Sequence, residues 1–184
     1  TRVWLVAKEH KKKFQILART DSLTNIYNRY GFDTLAERMI AKNPRNHYIA
    51  ALLDVDDFKL INDVYGHTYG DRALKNLADS MKKFFPSDVL LGRNGGDEFC
   101  VILYNCPYEM AERKIRKIQK EFSSGQTKEY PKSFSCGIVE VEGGNEELQV
   151  RDIIKQADHE MYLQKKEHKK KYRKELSVIS ISED

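Results

Sequence analysis

Cysteine, proline and tryptophan are scarce in this chain, and it contains no long apolar run. A bilayer-spanning helix needs about 18 or more consecutive apolar residues, and charge interrupts every apolar run here well short of that. The three cysteines, Cys100, Cys106 and Cys136, lack metal-type spacing. Cys100 and Cys136 lie in apolar strand-like segments and read as buried thiols. A reducing cytoplasm suits them better than secretion. No Gly-rich phosphate loop occurs early in the chain, which argues against a Rossmann or P-loop plan. The chain opens Thr1-Arg2-Val3-Trp4 without an initiator Met, so it is expected to be a piece of a longer protein.

Of the 184 residues, 40% are hydrophobic and 33% are charged. That supplies a core for one compact domain under a highly charged surface. Chains that stay disordered lack this stock of Ile, Leu, Phe and Tyr. The formal net charge is +4, with basic excess at residues 11–13 and 165–174. Such runs are most often solvated helix faces. No ordered aromatic and basic platform accompanies the second run, so no nucleic-acid partner is expected.

Residues 1–19 read as a helix. Val3, Ala7, His10, Phe14 and Leu17 recur at spacings of four and three, the seam of a short coiled coil or the apolar face of a helix lying on the domain itself. Residues 21–25 break it with capping and turn residues. A helix from near Asn28 carries Phe32, Leu35, Ala36 and Met39 on one face and ends at Asn43-Pro44. Residues 48–53 form an almost wholly apolar run, the mark of a strand covered on both faces. A short helix near residues 58–64 and a longer one capped by Thr68, with Ala73, Leu74, Leu77, Ala78 and Met81 inward, follow. Apolar runs at 89–91 and 99–103 flank Asn94-Gly95-Gly96, a hairpin signal. Next come a helix over 108–122 with Ala111, Ile115, Ile118 and Phe122 inward, and a strand over 133–141. A helix over 150–169 follows, with Ile153, Ile154, Ala157, Met161 and Tyr162 inward. Leu176, Val178, Ile179 and Ile181 suggest a last edge strand or a frayed tail. The sum is an α/β fold with helices outside a partly antiparallel sheet.

Two acidic clusters carry the chemistry. Asp54, Asp56 and Asp57 follow the most apolar strand, and hard cations take oxygen ligands of this kind. Helix capping by Asp56 or Asp57 explains one of them but not all three. Asp97 and Glu98 follow Gly95-Gly96, a backbone bare enough to turn tightly beside a ligand. If the hairpin lies beside the first strand, Asp54 and Asp97 approach within one metal's reach, and their repulsion calls for a cation between them.

Arg93-Asn94-Gly95-Gly96-Asp97-Glu98-Phe99 contains GGDEF as written, and the sequence resembles the GGDEF family of diguanylate cyclases. Asp21-Ser22-Leu23-Thr24-Asn25-Ile26-Tyr27-Asn28-Arg29 resembles that family's D-x-L-T-x-x-x-N-R. The stretch from Asp54 to Asp63 resembles its D-x-D-x-F-K-x-x-N-D, and the stretch from Gly66 to Asp71 its G-H-x-x-G-D. Ala157-Asp158-His159-Glu160-Met161-Tyr162 with Lys165 resembles its A-D-x-A-L/M-Y-x-A-K. The resemblance implies a ferredoxin-like mixed sheet like the palm of nucleotide cyclases. It implies condensation of two GTP into cyclic di-GMP with release of two pyrophosphates. Asp54 and Asp97, with the Val55 carbonyl, would hold Mg²⁺ or Mn²⁺. Phe58 and Lys59 by their backbone, and Lys165 and Lys169 by their side chains, would hold the β- and γ-phosphates. Asn62 and Asp71 would read guanine, and Glu98 would act at the metal or the attacking 3′-hydroxyl. A second copy would face the first head to tail.

The same resemblance divides the chain into a signalling helix at 1–19, a catalytic domain at 20–173 and a C-terminal strand or tail at 174–184. It also implies a sensor upstream and a cytoplasmic location, with attachment to a membrane sensor left open. Departures exist. The family's product-binding R-x-x-D pair falls on Pro86 and Val89, which offer neither guanidinium nor carboxylate. His168 stands where a small glycine is usual, and Glu160 replaces a small Ala. A degenerate domain that binds GTP or a partner protein without cyclising it is the competing reading.

Overall fold

The computed structural model describes residues 8, 17–124, 132–143 and 149–181, and side chains as far as residue 166. Five strands form one mixed sheet: β1 (Tyr27–Asn28), β2 (Tyr48–Val55), β3 (Leu90–Gly95), β4 (Glu98–Tyr104) and β5 (Phe134–Val141), in the order β1-β3-β4-β2-β5. β1 runs parallel to β3, and every other pairing is antiparallel. The helices are α1 (Arg29–Lys42), α2 (Phe58–Tyr65), α3 (His67–Phe84), α4 (Tyr108–Ser124) and α5 (Val150–Ile181). Strands β2 to β5 with the helices between them give the ferredoxin-like order, as expected for a palm-type nucleotide cyclase sheet.

The alternation of β2 builds two cores. Ile49, Ala51, Leu53 and Val55 face the layer of α2, α3 and α4, while Tyr48, Ala50 and Leu52 face α1 and α5. Successive strand residues point to opposite faces, so an unbroken apolar run is what a doubly covered strand requires. The α3 stripe lies in the first core as its periodicity predicts, and so does the α4 stripe. On α1 the buried row is Phe32, Ala36 and Ile40, with Leu35 and Met39 only partly covered. Phe32 lies against Gly92 of β3, where any side chain would collide with its ring.

Four local expectations are corrected. Thr68 does not cap α3. Gly66, at φ 89°, links α2 directly to α3, and its carbonyl accepts from the Tyr69 N–H at 3.0 Å. The hairpin turns at Gly96-Asp97 rather than Asn94-Gly95, because Gly95 pairs with Glu98 across a bulge and Asn94 stays in β3. Tyr162 is exposed, not inward. It stands about 100° round the helix from Met161, and Lys166 lies 4.5 Å over its ring. The edge-strand alternative does not form among the described residues after 174: α5 continues to Ile181, through a stretch with neither Pro nor Gly to stop it. The seam proposed for residues 1–19 falls almost wholly outside the described residues, of which residues 17–19 are helical.

Candidate active site

Asp54 is the penultimate residue of β2, opposite Glu98 on β4 and Ser135 on β5. The antiparallel pairing of β2 with β4 brings the carboxyl end of one strand to the amino end of the other. The β3–β4 turn therefore sits directly beside Asp54, and the Val55 N–H donates to the Asp97 carbonyl at 3.2 Å. Gly95 at φ 130° and Gly96 at φ 52° supply backbone angles that other residues rarely adopt. Asn94 donates from Nδ2 to Glu98 Oε2 at 3.0 Å, which fixes that carboxylate.

The charge balance at this end of the sheet is strained. Lys165 on α5 donates from Nζ to Asp54 Oδ1 at 2.6 Å. Burial pushes the Asp54 carboxyl above the usual range, Lys165 pulls it back, and Asp97 and Glu98 push it up again, leaving it raised. Among the described residues no three His, Cys, Asp or Glu side chains form a metal-binding group by themselves. What this end of the sheet brings together is the carboxylates of Asp54, Asp97 and Glu98, all oxygen donors.

The first acidic cluster divides three ways. Asp54 joins the site. Asp56 is held at the amino end of β5, its two carboxylate oxygens accepting from Ser133 Oγ, just before the strand, and Ser135 Oγ, within it, at 2.6 Å each. Asp57 is exposed at φ 53° before α2, and its side chain makes no capping bond. Its carbonyl accepts from the Ile61 N–H.

Asn62 on α2 and Asp71 on α3 lie on either side of the α2–α3 corner. A Cβ on Gly70 would lie 2.1 Å from Asn62 Oδ1 and 3.2 Å from the Phe58 ring. The bare glycine thus lets Asn62 and Phe58 close on the first turn of α3, where Asp71 follows. Lys59 and Asp71 are exposed. Lys169 lies on α5 one turn past Lys165, and its side chain falls outside the described residues.

The family model "Diguanylate cyclase, GGDEF domain" matches residues 18–171. This chain belongs to the GGDEF domain family. It is 36% identical over 158 residues to Diguanylate cyclase DgcP of Escherichia coli K12, covering 83% of this chain and 46% of that protein. It is 34% identical over 160 residues to Cyclic di-GMP phosphodiesterase PdeR of the same strain, covering 84% of this chain and 24% of that protein. The chain thus spans less than half the length of these curated relatives. The solved coiled coil and GGDEF domain of DgcB from Caulobacter crescentus, in complex with c-di-GMP, is similar at TM-score 0.82 and 26% identity, covering 90% of each chain. Among the described residues no helix is long and apolar enough to cross a membrane.

Three supports of this GGDEF domain escape a reading of the sequence by motif alone. Arg93 donates from Nη1 to both carboxylate oxygens of Asp21 at 3.2 Å, and from Nε and Nη2 to the Gly96 carbonyl at 3.0 and 2.7 Å. Asp21 Oδ1 also accepts from the Thr24 N–H at 2.9 Å and Thr24 Oγ1 at 2.6 Å. Burial works against the Asp21 carboxylate, yet Thr24 and Arg93 together hold it below its ordinary range. The opening motif is therefore a clamp on the GGDEF turn. Ser133 and Ser135 form the second support. The third is Gly137, where a Cβ would meet the Ala157 carbonyl at 2.0 Å and the Met161 nitrogen at 2.4 Å. An isolated glycine inside a strand is the sequence mark of such close approach. Pro86 and Val89 line a cleft of about 670 Å³ with Phe85, Leu91 and Leu35. The ammonium of Lys82, in the same lining, is held by Asp79 at 2.7 Å.

Proposed function

We propose that this domain condenses two GTP molecules into cyclic di-GMP with release of two pyrophosphates. The observation that carries the reading is the meeting of Asp54, Asp97 and Glu98 where β2 reaches the β3–β4 turn. Asp54 and Asp97, with the Val55 carbonyl, fit Mg²⁺ or Mn²⁺. Every donor is oxygen, and Asp54 already draws an ammonium to itself. When bound, such an ion neutralises phosphate charge and favours loss of pyrophosphate.

The chain's own groups do the rest. Main-chain N–H groups of Phe58 and Lys59, at the amino end of α2, take the β- and γ-phosphates together with Lys165 and Lys169. Asn62 and Asp71 read the guanine edge: Asp accepts from N1–H and the N2 amine, and Asn pairs with the remaining groups. Glu98, oriented by Asn94, acts at the metal or the attacking 3′-hydroxyl. Each copy presents one GTP, and the 3′-hydroxyl of one must lie in line with the α-phosphorus of the other. Two copies face each other head to tail, and a pairing helix at residues 1–19, driven by an upstream sensor, raises their effective concentration. GTP as substrate puts the domain on the cytoplasmic side.

Incubation with GTP and Mg²⁺, with the product identified by mass, tests the reading. Cyclic di-GMP is the expected product, and its absence across a wide range of protein concentration overturns the proposal. The likeness to PdeR, a protein named for a phosphodiesterase, favours a second reading. A GGDEF domain of this kind can serve as a GTP-binding or protein-interaction module, and GTP binding without any product would select it.

A further inference from the structure

Lys165 faces two demands that pull against each other. Its Nζ lies 2.6 Å from Asp54 Oδ1, with the two side chains 31% and 18% exposed. Under the proposed function the same Asp54 ligates a divalent ion, and the same Lys165 holds triphosphate. An ammonium at hydrogen-bond distance occupies one oxygen of that carboxylate and repels a divalent ion brought to the other. Lys165 alone also leaves the acidic set undercompensated. Asp97 and Glu98 both act on Asp54, so the ammonium answers one of three carboxylates.

The geometry lets the lysine change partners without moving the helix. Gly137 allows α5 to sit against β5 with Ala157 and Met161 inward, and Lys165 follows one turn beyond Met161 on the same row. A lysine stem is flexible and its charge compact, so the stem alone can carry the ammonium from one partner to the other. Lys166 lies over the Tyr162 ring, round the helix from this row.

We propose that Lys165 is a placeholder cation. It holds Asp54 in the nucleotide-free domain and hands that carboxylate over only when a triphosphate arrives to receive its ammonium. The proposal rests on the metal and phosphate roles given above. Its consequence is cooperative binding. A divalent ion without nucleotide must bind against the charge of Lys165, or displace it, when no other anion is at hand. A triphosphate without the ion brings further negative charge to an already negative site. Each ligand therefore favours the other, and the coupling is reciprocal.

Mn²⁺ titration followed by the paramagnetic resonance of the free ion tests this on the whole chain. The titration is run with and without a GTP analogue carrying a methylene bridge between the α- and β-phosphorus. Without nucleotide, Lys165→Met should bind Mn²⁺ roughly tenfold more tightly than the wild type, within the usual range of coupling between sites. The analogue should raise Mn²⁺ affinity in the wild type and much less in Lys165→Met. Lys165→Arg, which keeps the charge, should stay close to the wild type without nucleotide. Equal or weaker Mn²⁺ binding by Lys165→Met overturns the placeholder role. If Asp97→Asn loses Mn²⁺ in that same experiment, the metal assignment survives and only the role of Lys165 falls. If Asp97→Asn binds as the wild type does, the metal assignment falls and takes the placeholder role with it.

Discussion

Replacing Asp21 by Asn should loosen the GGDEF turn from a distance of 72 residues in sequence. The substitution keeps an oxygen for the Thr24 N–H but removes the charge that holds Arg93. The Asp21 and Arg93 side chains are only 21% and 14% exposed, so water screens the pair weakly. Hydrogen bonds to charged groups contribute about 1.5–3 kcal/mol each. A loss of that size from a domain this long lowers the melting temperature by about 3–12 °C. The pH dependence has a definite sign. The folded-state pKa of Asp21 lies below its ordinary 3.8. Its stabilisation is therefore complete above the unfolded value and is lost as pH falls through the folded one. Asp21→Asn should melt early at neutral pH and converge on the wild type in acid. Thermal melts across pH measure this. The cost of Asp21→Asn should shrink in an Arg93→Met background, because the two residues act as one unit. An unchanged melting temperature at neutral pH, or full additivity of the two substitutions, would refute the clamp.

Asp54→Asn and Asp97→Asn should each abolish GTP turnover while far-ultraviolet circular dichroism stays native, since each keeps its size and loses only charge. Gly137→Ala should cost about 1–3 kcal/mol by overpacking and lower turnover as well, because its Cβ pushes on α5 backbone atoms and shifts Lys165; chemical denaturation and a product assay check both. Titration calorimetry should find GTP bound more tightly than ATP, and the difference should shrink in Asp71→Asn. Added cyclic di-GMP should inhibit only weakly and competitively, since Pro86 and Val89 replace the charged pair that would hold it; strong non-competitive inhibition contradicts this.

Periodicity made the layers of this fold legible. Ala73, Leu74, Leu77, Ala78 and Met81 share one face of a helix by spacing alone, and all five are buried. The same holds for Ala111, Ile115, Ile118 and Phe122. Local chemistry placed the strand ends, where charge follows an apolar run. Partnership was not legible in this way. Asp54 meets Lys165 across 111 residues, and Asp56 meets Ser133 and Ser135 across 77 and 79. Spacing tells which face a residue shares with its neighbours, and says nothing of which distant element will cover that face. Motif order named the residues of the candidate site. Spacing alone could not separate Asp54, which faces Lys165, from Asp56, which is spent on two serines; the family resemblance singled out Asp54. Tyr162 failed for a related reason. An aromatic at the edge of an apolar stripe has a wet tip and a dry body, and the cation at Lys166 satisfied it outside the core.

Register ties the core to the chemistry. Odd-numbered residues of β2 fill the core beneath α2 to α4, and even-numbered ones fill the core beneath α1 and α5. Asp54 is even, so it emerges on the side where α5 brings Lys165. A slip of one residue would turn every side chain of β2 to the opposite face. Tyr48, fully buried with its hydroxyl donating to the Asn43 carbonyl at 2.7 Å, would lose that partner. Asp54 would point into the apolar layer of α2 to α4, away from Lys165, and an unpaired charge there is costly. The apolar residues that select the register therefore also select the site. A substitution within β2 that keeps the branched shape but reverses polarity, such as Leu52→Asn, should damage the position of Asp54 as surely as it damages the core.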